Sequence, residues 1–85
     1  MENFTVRLSR RAEKQLLGLP KSVRRAVGEA LLEMEIDPYA GDYKKLKGGE
    51  GHRRRIGQYR ILYEIDTGFR LVSIYGILHR REAYR

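Results

Sequence analysis

Arginine side chains gather on two neighbouring segments in the second half of the chain, where they could bind phosphate. Residues 52–56 read His-Arg-Arg-Arg-Ile, and residues 59–65 read Tyr-Arg-Ile-Leu-Tyr-Glu-Ile. The two residues between them, Gly57-Gln58, can form a tight hairpin turn with glycine in its first position. Because a planar guanidinium donates two parallel hydrogen bonds to phosphate, this hairpin is a candidate anion site.

The two-residue turn predicts which side chains of the hairpin share a face. It pairs Arg55 with Arg60 and places Arg53 on the same face, whereas Ile56 and Tyr59 fall on the opposite face. Like charges directly opposite each other on adjacent strands repel, so we expect an anionic ligand to offset this pair. The alternative is a solvated basic face whose charge is neutralised by nearby acidic side chains.

The end of the chain, residues 77–85, adds three more candidate side chains. His79 could carry a proton near neutral pH, Arg80 supplies another guanidinium, and Tyr84 could stack on a nucleobase. The alternative is a frayed and charged tail, in which a lone histidine is more often incidental than catalytic. Tyr39 and Tyr43 could also stack on bases, although partial burial beneath their own loop is the more common outcome.

The hydrophobic pattern indicates the elements that position these residues. Phe4, Val6 and Leu8 alternate with polar residues, as in a strand with one buried face. Helices are predicted over 10–18 and 22–36, a long loop over 37–51, and strands over 52–56, 59–65 and 70–76. The second helix carries apolar residues at i, i+3 and i+4 spacing, namely Val23, Ala26, Val27, Ala30, Leu31 and Met34. We therefore expect an α+β fold of order βααβββ, an antiparallel sheet with an αα-hairpin packed on one face.

Length, charge and composition limit the functional classes. A chain of 85 residues is long enough for one domain, which we expect to span residues 1–85. Eighteen Lys and Arg against eleven Asp and Glu give a formal net charge of +7, which favours nucleic acid, an anionic membrane surface or an acidic protein as partner. With no cysteine and two widely separated histidines, we expect neither a disulfide nor a metal site. The absence of an apolar leader or membrane-length apolar run favours a cytoplasmic protein.

These residues resemble the RelE/ParE toxin superfamily over nearly the whole chain. The resemblance rests on Leu46-Lys47-Gly48, on the hairpin with its Gly-x-Tyr-Arg-x-x-Tyr core at 57–63, and on the His-Arg…Tyr-Arg ending at 79–85. It implies the RelE-like fold and a toxin of a type II toxin-antitoxin system. In the RelE-like branch it implies a metal-independent endoribonuclease that cuts mRNA on the ribosome, with the 2′-hydroxyl of the RNA as nucleophile and no cofactor.

The resemblance also implies roles for individual residues. Arg53 and Arg55 match the basic residues that bind phosphate and activate the nucleophile, and Arg60 matches the one that holds the scissile phosphate. Arg80 resembles the group near the leaving 5′-oxygen, Tyr84 the one that orients a base, and His79 a candidate proton carrier.

One departure from the family leaves the general base open. Some members have lysines where this chain has Arg53 and Arg55. Because arginine stays protonated, proton removal would fall to His79, Tyr84 or water.

Two other functions remain open at this stage. The ParE branch shares the fold, inhibits DNA gyrase and has no nuclease site, and an inactive or plain RNA-binding module would also fit the charge. In each toxin reading we expect an acidic, RelB-like antitoxin that folds over the basic surface.

Overall fold

The computed structural model describes residues 3–49 and 51–83, with side chains described up to Arg81 except at Gly49. The helices and strands are β1 (Thr5–Leu8), α1 (Arg10–Leu17), α2 (Lys21–Ile36), β2 (Asp42–Lys45), a 3₁₀ turn (Lys47–Gly49), β3 (His52–Ile56), β4 (Tyr59–Asp66), β5 (Leu71–His79) and α3 (Arg80–Ala83).

Local side chains and backbone limits set the ends of the two long helices. The Ser9 hydroxyl accepts a hydrogen bond from the backbone N–H of Ala12 at 3.1 Å and so caps α1. Gly18 follows the last residue of α1. Helix α2 begins after Pro20 and stops at Asp37, whose extended backbone is the conformation favoured before a proline such as Pro38.

The strands form one mixed sheet in the order β1-β5-β4-β3-β2. Strand β1 runs parallel to β5, while the other neighbours are antiparallel. The α+β class and the αα-hairpin are confirmed, but the expectation of an antiparallel sheet was wrong at β1. Alternation along a strand shows which residues share a face, but it contains no information on which neighbour the strand pairs with or in which direction.

A fifth strand, β2, lies inside the segment predicted to be a loop. It is an edge strand with the sequence Asp-Tyr-Lys-Lys, and it pairs with β3 so that Lys44 is opposite Arg53. Charged residues, and lysine above all, are common on edge strands because they discourage pairing with other chains. That composition is also typical of a loop, which is why sequence reasoning missed the strand.

The last hairpin is longer than predicted. Asp66 pairs with Leu71 across a four-residue turn, 67–70, and β5 continues to His79. Between the pairs Leu62–Gly76 and Tyr63–Ile74 the register shifts by one residue. This β-bulge sets the alternation of the last part of β5 and therefore decides which face His79 joins.

The core lies between the two helices and the face of the sheet that was predicted to be buried. Its buried apolar residues are Ala12, Val27, Ala30, Met34, Ile61, Tyr63, Val72, Ile74 and Ile77. Val6, Leu8, Ile56 and Ile65 pack against this set from the same side. Helices α1 and α2 thus cover one face of the sheet, and the opposite face is here called the open face.

Candidate functional site

The β3–β4 hairpin has the predicted register. Arg55 pairs with Arg60, Arg53 pairs with Leu62, and Arg54 pairs with Ile61. Because Ile61 is a core residue, strand alternation puts Arg54 on the helix side and Arg53, Arg55 and Arg60 together on the open face. Three guanidinium-bearing positions therefore share one small area of the sheet.

The three open-face arginines differ in accessibility. Arg55 is exposed at the end of β3, and its Nε donates to the carbonyl oxygen of Gly57 at 3.4 Å. Arg53 is half-buried, and its Nη1 lies 3.7 Å from Oδ1 of Asp42 on β2. Arg60 is only 2% exposed and has Leu78 as its neighbour on β5. A ligand can thus approach Arg55 directly, whereas it reaches Arg60 only if neighbouring groups move.

Lys44 is a member of this basic area that sequence reasoning missed. It is exposed and lies opposite Arg53 on β2, on the open face. Asp42, opposite Arg55, is an acid on this face that partly balances the charge. Tyr43 between charged residues was the only strand signal in this stretch, and it was too weak to reveal the pairing.

His79 does not join the arginines. It pairs with Tyr59, and the two rings meet edge to face with centroids 5.2 Å apart. Ile56 packs against the core, and Tyr59, its partner on β4, lies on the same side of the sheet. His79, which pairs with Tyr59, therefore also lies on the helix side, whereas Arg60 lies on the open face. His79 therefore lies on the face opposite Arg53, Arg55 and Arg60, which the sequence could not indicate because the predicted strand ended at residue 76 and gave the tail no register.

The start of the tail is attached to the hairpin turn. The backbone N–H of Arg80 donates to the carbonyl oxygen of Gln58 at 2.6 Å, and both Arg80 and Arg81 are exposed. Gln58, His79, Arg80 and Arg81 line an open depression of about 500 Å³. Tyr84, the remaining predicted site residue, lies outside the residues that the structure describes.

On the helix side, the same strand carries a second polar cluster. Arg54 is 7% exposed, and its Nη2 bonds Oε1 of Glu33 on α2 at 2.5 Å. Its guanidinium packs against Gly41, where an added Cβ would lie 2.5 Å from Nε. Arg54 therefore joins the sheet to α2 and to the segment before β2, and it is not available on the open face.

An aromatic stack lies beside Arg54. The rings of Tyr43, His52 and Tyr63 stack in that order, and the Tyr43 hydroxyl oxygen lies 2.6 Å from Nδ1 of His52. Burial raises the pKa of Tyr43 and of Tyr63, and the Tyr63 hydroxyl donates to the carbonyl oxygen of Pro38 at 3.0 Å. Burial, followed by the charge of Lys45, lowers the pKa of His52. Tyr39 meets Tyr43 edge to face and is 45% exposed.

In chemical terms the open face can bind an anion and stabilise developing negative charge. The residues gathered there are permanently protonated arginines and a lysine, which donate hydrogen bonds and do not accept protons at neutral pH. Within residues 3–49 and 51–83, no three side chains of His, Asp or Glu lie close enough to hold a metal ion. No helix in this described part is long and apolar enough to cross a membrane.

Comparison with known proteins decides the family. The model of a family described as the ParE toxin of the type II toxin-antitoxin system parDE matches residues 6–84. The chain belongs to this toxin family. It is also 33% identical, over 96% of its own length and 96% of the relative's, to a Methanocaldococcus jannaschii protein that carries the name toxin RelE1. The predicted membership of the RelE/ParE superfamily is thus confirmed.

Solved structures show the same fold. A chain of the Mycobacterium tuberculosis RelBE2 toxin-antitoxin complex superposes with a TM-score of 0.80 at 31% identity, covering 92% of this toxin and 99% of that chain. A chain of the archaeal RelE-RelB complex from Pyrococcus horikoshii gives a TM-score of 0.81 at 26% identity, with 91% and 94% coverage. The isolated E. coli RelE toxin, at 22% identity, a TM-score of 0.78 and 95% and 90% coverage, shares the fold.

Proposed function

We propose that this toxin is an endoribonuclease that cleaves mRNA on the ribosome without a metal ion. The observation that supports it best is the cross-strand pair of Arg55 and Arg60, with Arg53 on the same face. Two like charges directly opposite each other weaken the sheet, so their presence fits a site whose ligand supplies negative charge. A phosphodiester is the ligand that a bidentate guanidinium suits best.

The proposed reaction is attack of the RNA's 2′-hydroxyl on the adjacent phosphorus. The 2′-oxygen–phosphorus bond forms, the bond from phosphorus to the 5′-oxygen breaks, and that oxygen takes up a proton. Arg55 and Arg60 stabilise the charge that develops on the phosphate oxygens, and Arg53 lowers the cost of forming the 2′-oxyanion. In this proposal Arg80, which is exposed at the base of the tail, acts near the leaving oxygen.

Removal of the 2′-proton needs a group that can accept it. The arginines stay protonated, and His79 faces the other side of the sheet, so Tyr84 and water are the remaining candidates in this proposal. Because Arg60 is 2% exposed, productive binding also requires the groups that cover it to move. We propose that this rearrangement accompanies RNA binding on the ribosome.

The partner in this proposal is an acidic, RelB-like antitoxin. Two of the similar structures are RelB-RelE type complexes, and the net charge of +7 suits an acidic chain. The proposed antitoxin silences the toxin by covering the open-face arginines or the tail.

A second candidate function is inhibition of DNA gyrase without nuclease activity. The specific observation in its favour is that the matching family model is that of the ParE toxin. The two functions differ in what they damage, because a nuclease cuts transcripts while a gyrase inhibitor blocks DNA supercoiling and leaves transcripts intact.

The deciding experiment is induced expression of the wild-type toxin beside Arg60→Ala and Arg55→Ala variants. We expect transcript cleavage, mapped by primer extension, to fall about 100-fold in each, the usual effect of losing one group that stabilises transition-state charge. Arg10→Ala, in an exposed position on α1, is the matched control and should cleave like wild type. Arg55 is exposed, so its variant tests the site even if loss of buried Arg60 impairs folding. Equal cleavage by all variants, or arrest of supercoiling with intact transcripts, would exclude the nuclease.

A further inference from the structure

The outer half of β5, residues 76–79, extends beyond the strand that flanks its inner half. Strand β1 pairs with β5 as far as Ile74, and the N–H of Ser9, which follows β1, donates to the carbonyl oxygen of Ile74 at 2.9 Å. Residues 76–79 lie past this point and pair with β4 on their other side. Backbone groups of the outer half that point toward the β1 side therefore need a partner that is not a strand, or solvent.

Gln15 on α1 provides such a partner. Its Oε1 accepts a hydrogen bond from the backbone N–H of Ile77 at 2.8 Å. Gln15 lies about one helical turn after the core residue Ala12 and so is on the side of α1 that faces the sheet. Gln15 is half-buried and Ile77 is 3% exposed. Because a polar group removed from water destabilises the fold unless it is hydrogen-bonded, this bond is a specific link between α1 and the outer half of β5.

Packing alone would favour an apolar side chain at position 15. Leu16 and Leu19 follow on the same side of α1 and pack against the core. A leucine in place of Gln15 would extend that apolar contact, but it would leave the Ile77 N–H without this acceptor. The glutamine instead fixes the position of the β5 backbone at the level of Ile77.

Two groups of the proposed nuclease site depend on the outer half of β5. The pair that follows Ile77 along the strand is Leu78 with Arg60 on β4. Arg80 comes directly after the end of β5, and its N–H donates to the carbonyl oxygen of Gln58 at 2.6 Å. A displacement of β5 at Ile77 would therefore reach Arg60 through its pairing with Leu78, and it would reach Arg80 along the chain.

We propose that Gln15 is a positioning residue for the nuclease site. This inference rests on the proposed function and adds to it a residue on the helix side of the sheet. Gln15 does not touch the RNA; its hydrogen bond to β5 keeps Arg60 and Arg80 at the separation at which both reach one phosphodiester. Without that bond the transition state is stabilised less, while RNA binding through Arg53 and Arg55 persists.

Cleavage kinetics of two substitutions at one position test this role. Gln15→Leu removes the acceptor and keeps a good helix former, whereas Gln15→Glu keeps an oxygen that can accept from the Ile77 N–H. Single-turnover cleavage of mRNA on programmed ribosomes, over a range of toxin concentrations, separates the maximal rate from the half-saturating concentration. We expect Gln15→Leu to lower the maximal rate about tenfold and to change the half-saturating concentration less than about threefold. Gln15→Glu should stay within about threefold of wild type in both quantities.

A variant that is destabilised elsewhere separates positioning from loss of stability. Leu19→Ala shortens a side chain that packs against the core and leaves the bond from Ile77 to Gln15 in place. Urea unfolding compares its stability with that of Gln15→Leu, and circular dichroism verifies that both variants are folded. We expect Leu19→Ala to unfold at lower urea than wild type and yet to cleave at the wild-type rate. An equal fall in rate in Leu19→Ala, or a rate in Gln15→Glu as low as in Gln15→Leu, would contradict the positioning role.

Amide hydrogen exchange, followed by NMR on the isolated toxin, measures the same role without nuclease activity. In Gln15→Leu the N–H groups of Ile77 and Arg80 should exchange about tenfold faster than in wild type, beyond the change seen at Val72 in the inner half of β5. If the wild-type toxin leaves transcripts intact, the proposed function is wrong, and exchange at Arg80 still decides whether Gln15 fixes the base of the tail. If wild type cleaves and Gln15→Leu cleaves equally fast, or if exchange at Arg80 is unchanged, Gln15 is not a positioning residue.

Discussion

At the residue scale, adjacent arginines on β3 lie on opposite faces of the sheet and have different environments. Arg53 and Arg55 lie on the open face, while Arg54 between them is buried against α2 with Glu33 as its partner. Chemically identical side chains thus differ in role only because strand alternation sends them to opposite faces. Residue type alone does not distinguish Arg54 from Arg53 and Arg55, whereas the register of the β3–β4 hairpin does.

The first residue-scale prediction concerns His52 and pH. Burial and the nearby Lys45 lower the pKa of His52 in the folded protein, so the unfolded chain binds more protons in this range. The contribution of His52 to stability is therefore present above its ordinary pKa of 6.5 and is lost as the pH falls below that value.

Urea unfolding of wild type and of His52→Gln at a series of pH values measures this effect. We expect the free energy of unfolding of wild type to decline more steeply below about pH 6.5 than that of the variant. Identical pH dependence in wild type and His52→Gln would contradict the role assigned to burial of this ring.

At the element scale, β3 is the strand on which the site depends. It lies between β4, which supplies Arg60, and β2, which supplies Lys44, and the ion pair of Arg54 ties it to α2. The Arg54 side chain is 9% exposed, but Glu33 is 59% exposed, so the pair is screened by solvent on one side. The main effect of the ion pair is that the Glu33 carboxylate gives the buried Arg54 guanidinium a partner, and this contact links β3 to α2.

Removing the carboxylate should therefore destabilise the fold more than removing an exposed one. We expect Glu33→Ala to lower the free energy of unfolding by about 1–2 kcal/mol, since it leaves the Arg54 guanidinium buried without this partner. Glu29→Ala, an exposed position one turn earlier on α2, should change it by less than about 0.5 kcal/mol. Chemical denaturation compares the two, and equal losses would show that the link between α2 and β3 carries little energy.

At the scale of the whole molecule, charge is unevenly distributed. Residues 26–42 carry five acids, Glu29, Glu33, Glu35, Asp37 and Asp42, and no Lys or Arg. The net charge of +7 is therefore concentrated in the segments before and after this stretch. On the open face this concentration falls at the β2–β3–β4 end of the sheet, which fits approach of a polyanion from that side.

Salt dependence tests whether the open-face arginines contact RNA, as the proposed function requires. Binding of single-stranded RNA releases counterions, and each phosphate contact contributes roughly −0.7 to the slope of log affinity against log salt. We expect Arg53→Gln to reduce the steepness by about that amount. Arg10→Gln, on α1, should leave the slope unchanged. Fluorescence anisotropy with a labelled RNA over a range of salt concentrations supplies both slopes, and a loss of slope at Arg10 alone would place the RNA on the helix face.

Local patterns in the sequence were sufficient to predict much of the fold and part of the site. The i, i+3, i+4 spacing of apolar residues predicted the second helix, and the predicted bounds of both helices, 10–18 and 22–36, agree with the structure to within one residue at each end. The two-residue turn at Gly57-Gln58 predicted the pairing of Arg55 with Arg60. These features are set by interactions between residues close in the chain, which is why they could be read without a structure.

Only the tertiary structure decided the features that depend on distant segments. The parallel pairing of β1 with β5, the edge strand β2 with Lys44, and the bulge that sends His79 away from the arginines all arise from contacts across the sheet. The burial of Arg54 likewise requires α2 and Gly41 to pack over β3. Sequence periodicity determines which side of an element is apolar, but which elements become neighbours depends on how the whole core packs.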